Sequence, residues 1–349
     1  MENIEEDKFG DGDSSEQRSE LHLGGSEQRS ELHLGGSEQR SELHLGGSEQ
    51  RSELHVRYPS AWMVLTGFFT LFFLFLLLGG LATIGLGSLT GNQVKMDGDM
   101  PLGSRNFVRI VLLISQFSSF IIPALLAAWL FYKKDWLRSL SLDKVPSLKL
   151  ILLGCVLLMV AIPFVQYVYM LNMRLPLPHW MMDMEQNTDK TLEHILVTDH
   201  PYEFVFNLIL IGLVPGIGEE LVFRGTIQKQ MGRLISNPHV TIWLSAAIFS
   251  FIHFQFQGFF ARMVLGALLG YLFYWTKNLW VPIAAHFLNN GMQVAAMYFS
   301  GVKVADMEKA SGDTGMTIWI ALASLTLVIG LGHYLRDTYL NDSGFETVD

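Results

Sequence analysis

The chain has 349 residues, of which 50% are hydrophobic and only 16% are charged. Apolar runs long enough to cross a bilayer recur from residue 61 onward, a pattern typical of a multi-pass membrane protein that leaves no room for a large water-soluble domain. The formal net charge of −9 belongs to residues 1–56, which hold 14 acidic and 5 basic side chains and leave 19 of each in the remainder. We expect no nucleic-acid partner. The single cysteine, Cys155, excludes an internal disulfide framework and a cysteine-based zinc site.

The N-terminal tail, residues 1–56, repeats the sequence SEQRSELHLGG with a period of 11 residues, and the last of four copies is cut short after His55. An 11-residue period suits a right-handed coiled coil. Each unit, however, offers two leucines and then a Gly-Gly pair, which breaks a helix and buries little surface. The composition therefore predicts a disordered tail, whose spaced histidines lack the fixed geometry of a metal site.

The rest of the chain is predicted to be an all-α transmembrane domain over residues 57–340, followed by a short tail over residues 341–349. Eight segments are apolar and long enough to be candidate transmembrane helices. They cover about 61–88, 106–132, 147–171, 203–232, 239–257, 259–276, 279–299 and 315–335.

Charged residues in the loops predict how these segments are oriented. The loop 133–149 carries five lysine or arginine residues, whereas the loop 172–201 carries five acidic residues against Arg174 and Lys190. The positive-inside rule places the first loop in the cytoplasm, and an even number of spans then puts both termini there. The loop 172–201 is expected either to lie at the outer interface or to be an exposed amphipathic loop.

A first polar motif, Glu219-Glu220-x-x-x-Arg224, lies inside an apolar segment, where ionisable groups are costly and usually functional. Glu220 and Arg224 are four residues apart, so the two side chains can pair on one helical face and remain charged. Glu219 points about 100° away, and a carboxylate without such a partner suits a general base. Glu219 is thus the predicted base, supported by Glu220 and Arg224. The alternative is an ion-pair cluster that only holds helices together.

Two further motifs follow in later apolar segments. Phe249 and His253 share a face of the fifth segment, although a lone histidine on an apolar helix is usually a packing residue. His286 and Asn290 share a face of the seventh, and both can donate hydrogen bonds to a developing negative charge. At about 1.5 Å per residue, Glu219 and His253 lie roughly 20 Å from the cytoplasmic ends of their helices and His286 about 14 Å. A cavity open to the cytoplasm is therefore expected.

In this order on successive hydrophobic segments, EExxxR, FxxxH and HxxxN resemble the CPBP intramembrane protease family, which includes CAAX prenyl endopeptidases and bacteriocin-processing or self-immunity proteins. The resemblance covers about residues 200–300 and excludes the repeats. It implies that Glu219 activates a water molecule, that His253 assists it, and that His286 and Asn290 form an oxyanion site.

The expected reaction is hydrolysis of a peptide bond in a protein or peptide substrate. One option for this substrate is a membrane-associated or prenylated chain. Membrane lipids are the other expected partners. No cofactor is favoured. Zinc is the alternative, because Glu219, His253 and His286 supply the ligand types of some catalytic zinc sites, although Glu219 would then not be free to act as the base. A proton-coupled transporter and a non-catalytic immunity or scaffold protein stay open as other functions.

Overall fold

A computed structural model gives the fold of the chain and describes residues 59–91, 101–198, 200–300 and 318–340. These residues form helices joined by turns, with no β-strand among them, so the predicted all-α class is confirmed. The repeats and the short C-terminal tail lie outside the described residues. The helices are α1 (Ala61–Thr90), α2 (Leu102–Ser139), α3 (Leu148–Asn172), α4 (His179–Leu196), α5 (Pro201–Met231), α6 (Pro238–Phe251), α7 (Phe259–Thr276), α8 (Trp280–Ser300) and α9 (Ile318–Tyr339).

Within the described ranges, six helices are long and apolar enough to cross a membrane: α1, α2, α3, α5, α7 and α9. The protein is therefore an integral, multi-pass membrane protein. Eight spans are predicted from the sequence, and two of them fall short. α6 has only 14 residues, so the predicted segment 239–257 is wrong beyond Phe251. α8 has 21 residues, but polar side chains such as His286 and Asn290 make it less apolar than the six.

Side-chain caps define where several helices begin. Ser60 precedes α1, Ser147 precedes α3, and each side-chain oxygen accepts a hydrogen bond from a backbone N–H in the first turn. Asn237 caps α6 in the same way. Such caps satisfy N–H groups that have no partner within the helix. At the other end of α1, Gly91 adopts a left-handed conformation with φ of 65°, which glycine accepts without strain.

α5 contains two wide, π-helical turns, Leu208–Leu213 and Leu221–Gln228, on either side of the α-helical stretch Val214–Glu220. Turns of this kind inside an α-helix are rare and occur frequently at functional sites. Glu219 and Glu220 end the regular stretch, so their side chains keep the separation of about 100° that consecutive residues of an α-helix have.

Small residues bring the helices of the central region close together. A Cβ atom on Gly216 of α5 would lie 3.2 Å from the backbone nitrogen of Phe287 of α8, and one on Gly212 would lie 3.6 Å from the Cα atom of Gly291. Gly266 of α7 packs in the same way against α6. Glycine permits such backbone-to-backbone contact between membrane helices. The polar motifs on α5, α6 and α8 therefore face one another across short distances.

The segment that connects α3 to α5 forms the 18-residue helix α4, which is too polar to be among the six candidate spans. Its C-terminal end is tied to the bundle by Arg109 of α2, which donates hydrogen bonds to the carbonyl oxygens of Ile195 at 2.7 Å and Val197 at 3.1 Å. The same guanidinium pairs with the buried carboxylate of Glu203 at 2.7 Å. These contacts fasten α4 to both α2 and α5.

Candidate active site

Glu219 lies where α5, α6 and α8 meet, and its side chain faces two histidines. Its Oε2 atom is 3.8 Å from Nε2 of His286 and 3.9 Å from Nε2 of His253. Glu219 is only 6% exposed. The structure thus brings together three of the five ionisable residues in the sequence motifs, although His253 and His286 are 34 and 67 positions from Glu219 along the chain.

The predicted ion pair between Glu220 and Arg224 is present, with 2.6 Å between Oε1 and Nη1. The guanidinium also donates to the carbonyl oxygen of Gly266 at 2.7 Å and lies over the ring of Phe249, 5.0 Å from its centroid. Both members of the pair are buried. Because each charge has a partner, the pair can persist in surroundings of low dielectric constant.

His286 is held by the same carboxylate, a contact that sequence reasoning misses. Its Nδ1 atom lies 2.8 Å from Oε1 of Glu220. Glu220 is ionised against Arg224 and can only accept a hydrogen bond, so Nδ1 of His286 carries the hydrogen. A neutral His286 therefore presents the lone pair of Nε2 to Glu219.

His253 lies two residues beyond the end of α6, rather than inside a membrane helix as predicted. Its Nδ1 atom is 2.8 Å from the carbonyl oxygen of Phe249, and the two rings meet edge to face with 4.9 Å between centroids. A carbonyl oxygen only accepts, so this ring too carries its hydrogen on Nδ1 and directs the Nε2 lone pair at Glu219. Its side chain is 26% exposed, which makes it the most accessible of the three.

Asn290 occupies the face of α8 predicted for it. Its Nδ2 atom donates to the carbonyl oxygen of Ile211 on α5 at 3.3 Å, and its Oδ1 atom accepts from Asn289 at 3.1 Å. These two bonds orient the amide. A primary amide has two N–H groups, so the second remains for a ligand once the first is bound to Ile211.

The donor types around Glu219 fit zinc, whereas their spacing is wide for it. Histidines that bind zinc usually donate from the other ring nitrogen to a carboxylate or a backbone carbonyl, as His286 and His253 do. Ligand atoms on one tetrahedral zinc are roughly 3.4 Å apart, as follows from bonds of about 2.0–2.2 Å, against 3.8 and 3.9 Å here. No group of three His, Cys, Asp or Glu side chains in the described parts of the chain has the arrangement of a metal site. If zinc bound, Glu219, His253 and His286 would hold it, and it would activate a water molecule.

Comparison with known proteins finds a family similarity in the segment that carries this site. Residues 201–292 match the family described as type II CAAX prenyl endopeptidase Rce1-like. This stretch of the chain is similar to the Rce1-like family, and we call it the Rce1-like segment. The Rce1-like segment begins with α5 and ends within α8, so it contains Glu219, His253, His286 and Asn290. The predicted resemblance to CAAX-type CPBP proteins is confirmed.

One relative extends the comparison. The uncharacterized protein YpbD of Bacillus subtilis (strain 168) is 29% identical over 101 residues, which are 28% of this chain and 49% of YpbD. The chain thus spans about half the length of this relative. No solved structure matches.

Further polar residues surround the Rce1-like site and are missed by motif reasoning. Arg262 is the one charged residue in the sequence of α7, and it donates to the backbone and side-chain oxygens of Gln255 at 3.0 and 2.9 Å. Glu185 and Asp189 of α4 contact the same loop. Two features of the sequence could have indicated these residues: Arg262 is a lone arginine in an apolar segment, and Glu185 and Asp189 are acidic residues four positions apart.

Proposed function

We propose that this protein is an intramembrane endopeptidase that hydrolyses a peptide bond with a water molecule activated by Glu219. The proposal rests above all on the convergence of Nε2 of His253 and Nε2 of His286 upon one oxygen of Glu219. The match of residues 201–292 to the Rce1-like family supports it independently. The description of that family makes a peptide with a prenylated C-terminal CAAX sequence the first substrate to test.

The spacing of the three groups suits a single bound water molecule. A water hydrogen-bonded at about 2.8 Å to two atoms fits between atoms that are 3.8 or 3.9 Å apart. Water donates two hydrogens, one to Glu219 and one to the lone pair of a histidine. The water oxygen then has lone pairs free to attack a carbonyl carbon, while Glu219 takes the proton as general base.

The same geometry limits how the oxyanion can be stabilised. A neutral His286 cannot donate from Nε2, because Nδ1 holds its only hydrogen. Asn290 therefore provides the first donor through its second amide N–H. His286 becomes a second donor when it takes up the proton from Glu219, since its imidazolium would lie between the carboxylates of Glu219 and Glu220.

Collapse of the tetrahedral intermediate breaks the C–N bond and needs a proton on the leaving amine. The proton removed from the water supplies it, so no external acid is consumed. After His286 returns this proton to Glu219, His253 would pass it to the amine, because Nε2 of His253 lies 3.9 Å from Glu219 and its side chain is the most exposed of the three. The first products are a carboxylic acid and an amine, and transfer of the acid's proton to the amine leaves a carboxylate and an ammonium group; no covalent enzyme intermediate forms.

The short distances among Glu219, His253 and His286 also favour a peptidase over a proton-coupled transporter. A relay needs titratable groups distributed across the membrane, whereas Nε2 of both histidines lies within 3.9 Å of one Glu219 oxygen.

The proposal is tested with Glu219→Gln, which is nearly isosteric and removes only the basic function. Asp183→Asn, at an exposed position of α4, is the matched control. Membranes from cells that carry each variant are compared by mass spectrometry of new peptide termini, and the purified proteins are assayed on a prenylated CAAX peptide. We expect cleavage products in the wild type and the control but not in Glu219→Gln, with equal membrane insertion. Wild-type cleavage by Glu219→Gln would exclude it as the base.

A further inference from the structure

The loop 252–258, which carries His253, has little internal support. α6 ends at Phe251, the backbone N–H of His253 reaches Ser250 only at 3.4 Å, and Phe254 adopts a left-handed conformation with φ of 53°. A residue without glycine's freedom is strained in that conformation. Beyond the bond of its own ring to Phe249, the position of His253 therefore depends on contacts that other parts of the chain make with this loop.

One buried contact comes from Glu185 of α4. Both carboxylate oxygens accept from the backbone N–H of Gln257, at 3.2 and 3.3 Å. Glu185 is only 6% exposed and lies outside the motif residues.

A second layer of contacts holds the same loop. Asp189, one turn further along α4, accepts from Nε2 of Gln255 at 3.1 Å, and Arg262 binds the other side of Gln255. Asn172, at the end of α3, donates to the carbonyl oxygen of Phe256 at 3.1 Å. The ring of Phe256 meets that of Trp180 at the start of α4, with 5.8 Å between centroids. Successive residues after His253 are thus bound to α4 and its neighbours.

α4 can act as a fixed support because its far end is itself anchored. Arg109 binds the carbonyl oxygens of Ile195 and Val197, and Asn207 donates to Ile195 at 2.9 Å. Arg109 and Asn207 are fully buried, so this anchor is shielded from water. α4 is thus bound to α2 and α5 at one end and to the loop 252–258 at the other. Through these contacts it fixes the position of His253 relative to the helix bundle.

We propose that Glu185 is a positioning residue for His253, and that α4 holds the loop 252–258 so that Nε2 of His253 faces Glu219. The catalytic part of this statement rests on the proposed peptidase function. The structural part does not depend on it.

The test compares Glu185→Ala, Glu185→Gln and the control Asp183→Ala on the full-length protein. Hydrogen–deuterium exchange of the peptide that contains residues 252–258 reports on the loop. The rate of diethyl pyrocarbonate modification of His253, divided by that of His286, reports on the histidine without requiring activity. kcat and KM for peptide cleavage report on catalysis.

Glu185→Ala should raise amide exchange of Gln257 about 10-fold, the equivalent of one lost hydrogen bond. It should raise the relative modification rate of His253 and lower kcat about 10-fold, with KM within twofold. Glu185→Gln should behave nearly as the wild type, because its amide oxygen still accepts from Gln257. Asp183→Ala should change none of these quantities.

Unchanged exchange or unchanged His253 reactivity in Glu185→Ala would overturn the proposal. Faster exchange with an unchanged kcat would overturn the positioning role, and an equal fall in kcat for Asp183→Ala would show a nonspecific effect. If Glu185→Ala fails to fold, Glu185→Asp replaces it: its carboxylate is one methylene shorter and should lose the contact with Gln257, so exchange of Gln257 and relative modification of His253 should both rise, and wild-type values of either would overturn the proposal. If the wild type cleaves no peptide, the peptidase function fails, while exchange and His253 reactivity still decide whether α4 holds the loop.

Discussion

Glu220 is expected to contribute to stability and, in the proposed reaction, to catalysis, and the two contributions can be measured separately. Its Oε1 atom accepts from Arg224 at 2.6 Å and from His286 at 2.8 Å, and the side chain is 0% exposed. Glu220→Leu leaves the guanidinium of Arg224 with only the carbonyl oxygen of Gly266 and the ring of Phe249. Stranding a buried charge in this way typically costs about 3–5 kcal/mol.

The variant Glu220→Leu/Arg224→Met removes both charges and should recover most of that loss, because replacing a whole buried ion pair by apolar side chains is often neutral or stabilising. Its activity should not recover. Without Glu220, nothing keeps the hydrogen of His286 on Nδ1, and losing a carboxylate that fixes a histidine tautomer costs up to about 10⁴-fold in kcat. We expect a fall of at least about 10²-fold, as for the loss of an acid–base partner.

The two contributions are measured by thermal unfolding in detergent and by kcat per folded protein, with Arg224→Met as the control that leaves Glu220 and His286 together. A double variant as unstable as Glu220→Leu would show that the pairing of charges is not what stabilises this region. A double variant with wild-type kcat would refute the role of Glu220 in orienting His286.

Three further predictions address metal, orientation and pH. Activity should survive washing with a chelator, and elemental analysis should find no stoichiometric zinc; activity that is lost on zinc removal and restored on its return would make Glu219 a ligand instead of a base. With Cys155 replaced by serine, a cysteine near residue 140 should react with an impermeant reagent only from the cytoplasmic side and one near residue 187 only from outside, whereas the reverse pattern would invert the topology. Burial raises the pKa of Glu185, against the opposing effects of the Gln257 hydrogen bond and of Arg262, while Asp189 adds to the rise. The folded state thus binds the proton of the Glu185 carboxyl group more tightly than the unfolded state does. The stability that this bound proton contributes is lost as pH rises and the carboxyl group ionises. Glu185→Gln should therefore unfold at a higher temperature than the wild type at pH 8, and the gain should vanish by about pH 4; a gain that grows on acidification would contradict this.

Helix geometry explains which parts of the site can be predicted from sequence. The pairing of Glu220 with Arg224 depends only on a spacing of four residues within one helix. The different direction of Glu219 follows from the same rule. Both predictions hold although Arg224 lies in a π-helical turn, because the Val214–Glu220 stretch before it is regular.

Contacts between distant segments could not be predicted in this way. The bond from His286 to Glu220 joins residues 66 positions apart and depends on how closely α5 and α8 pack. The end of α6 at Phe251 was also missed, since no glycine or proline follows until Gly258. Hydrogen bonds of the loop to α3 and α4, rather than a local helix-breaking signal, stabilise the turn there.

The close approach of α5 and α8 gives the site two parts of unequal stiffness. Around Gly216 and Phe287 the two backbones are in contact, and such contacts cannot be lengthened by a change of rotamer. Glu219 lies on α5 and Asn290 on α8, so the distance between these two side chains should be insensitive to temperature and to bilayer thickness. His253 depends instead on a loop held by side-chain hydrogen bonds, whose geometry is compliant. In the proposed peptidase, we therefore expect displacement of that loop to make room for a substrate backbone, and a detergent or lipid that loosens the loop should alter turnover before it alters helix packing.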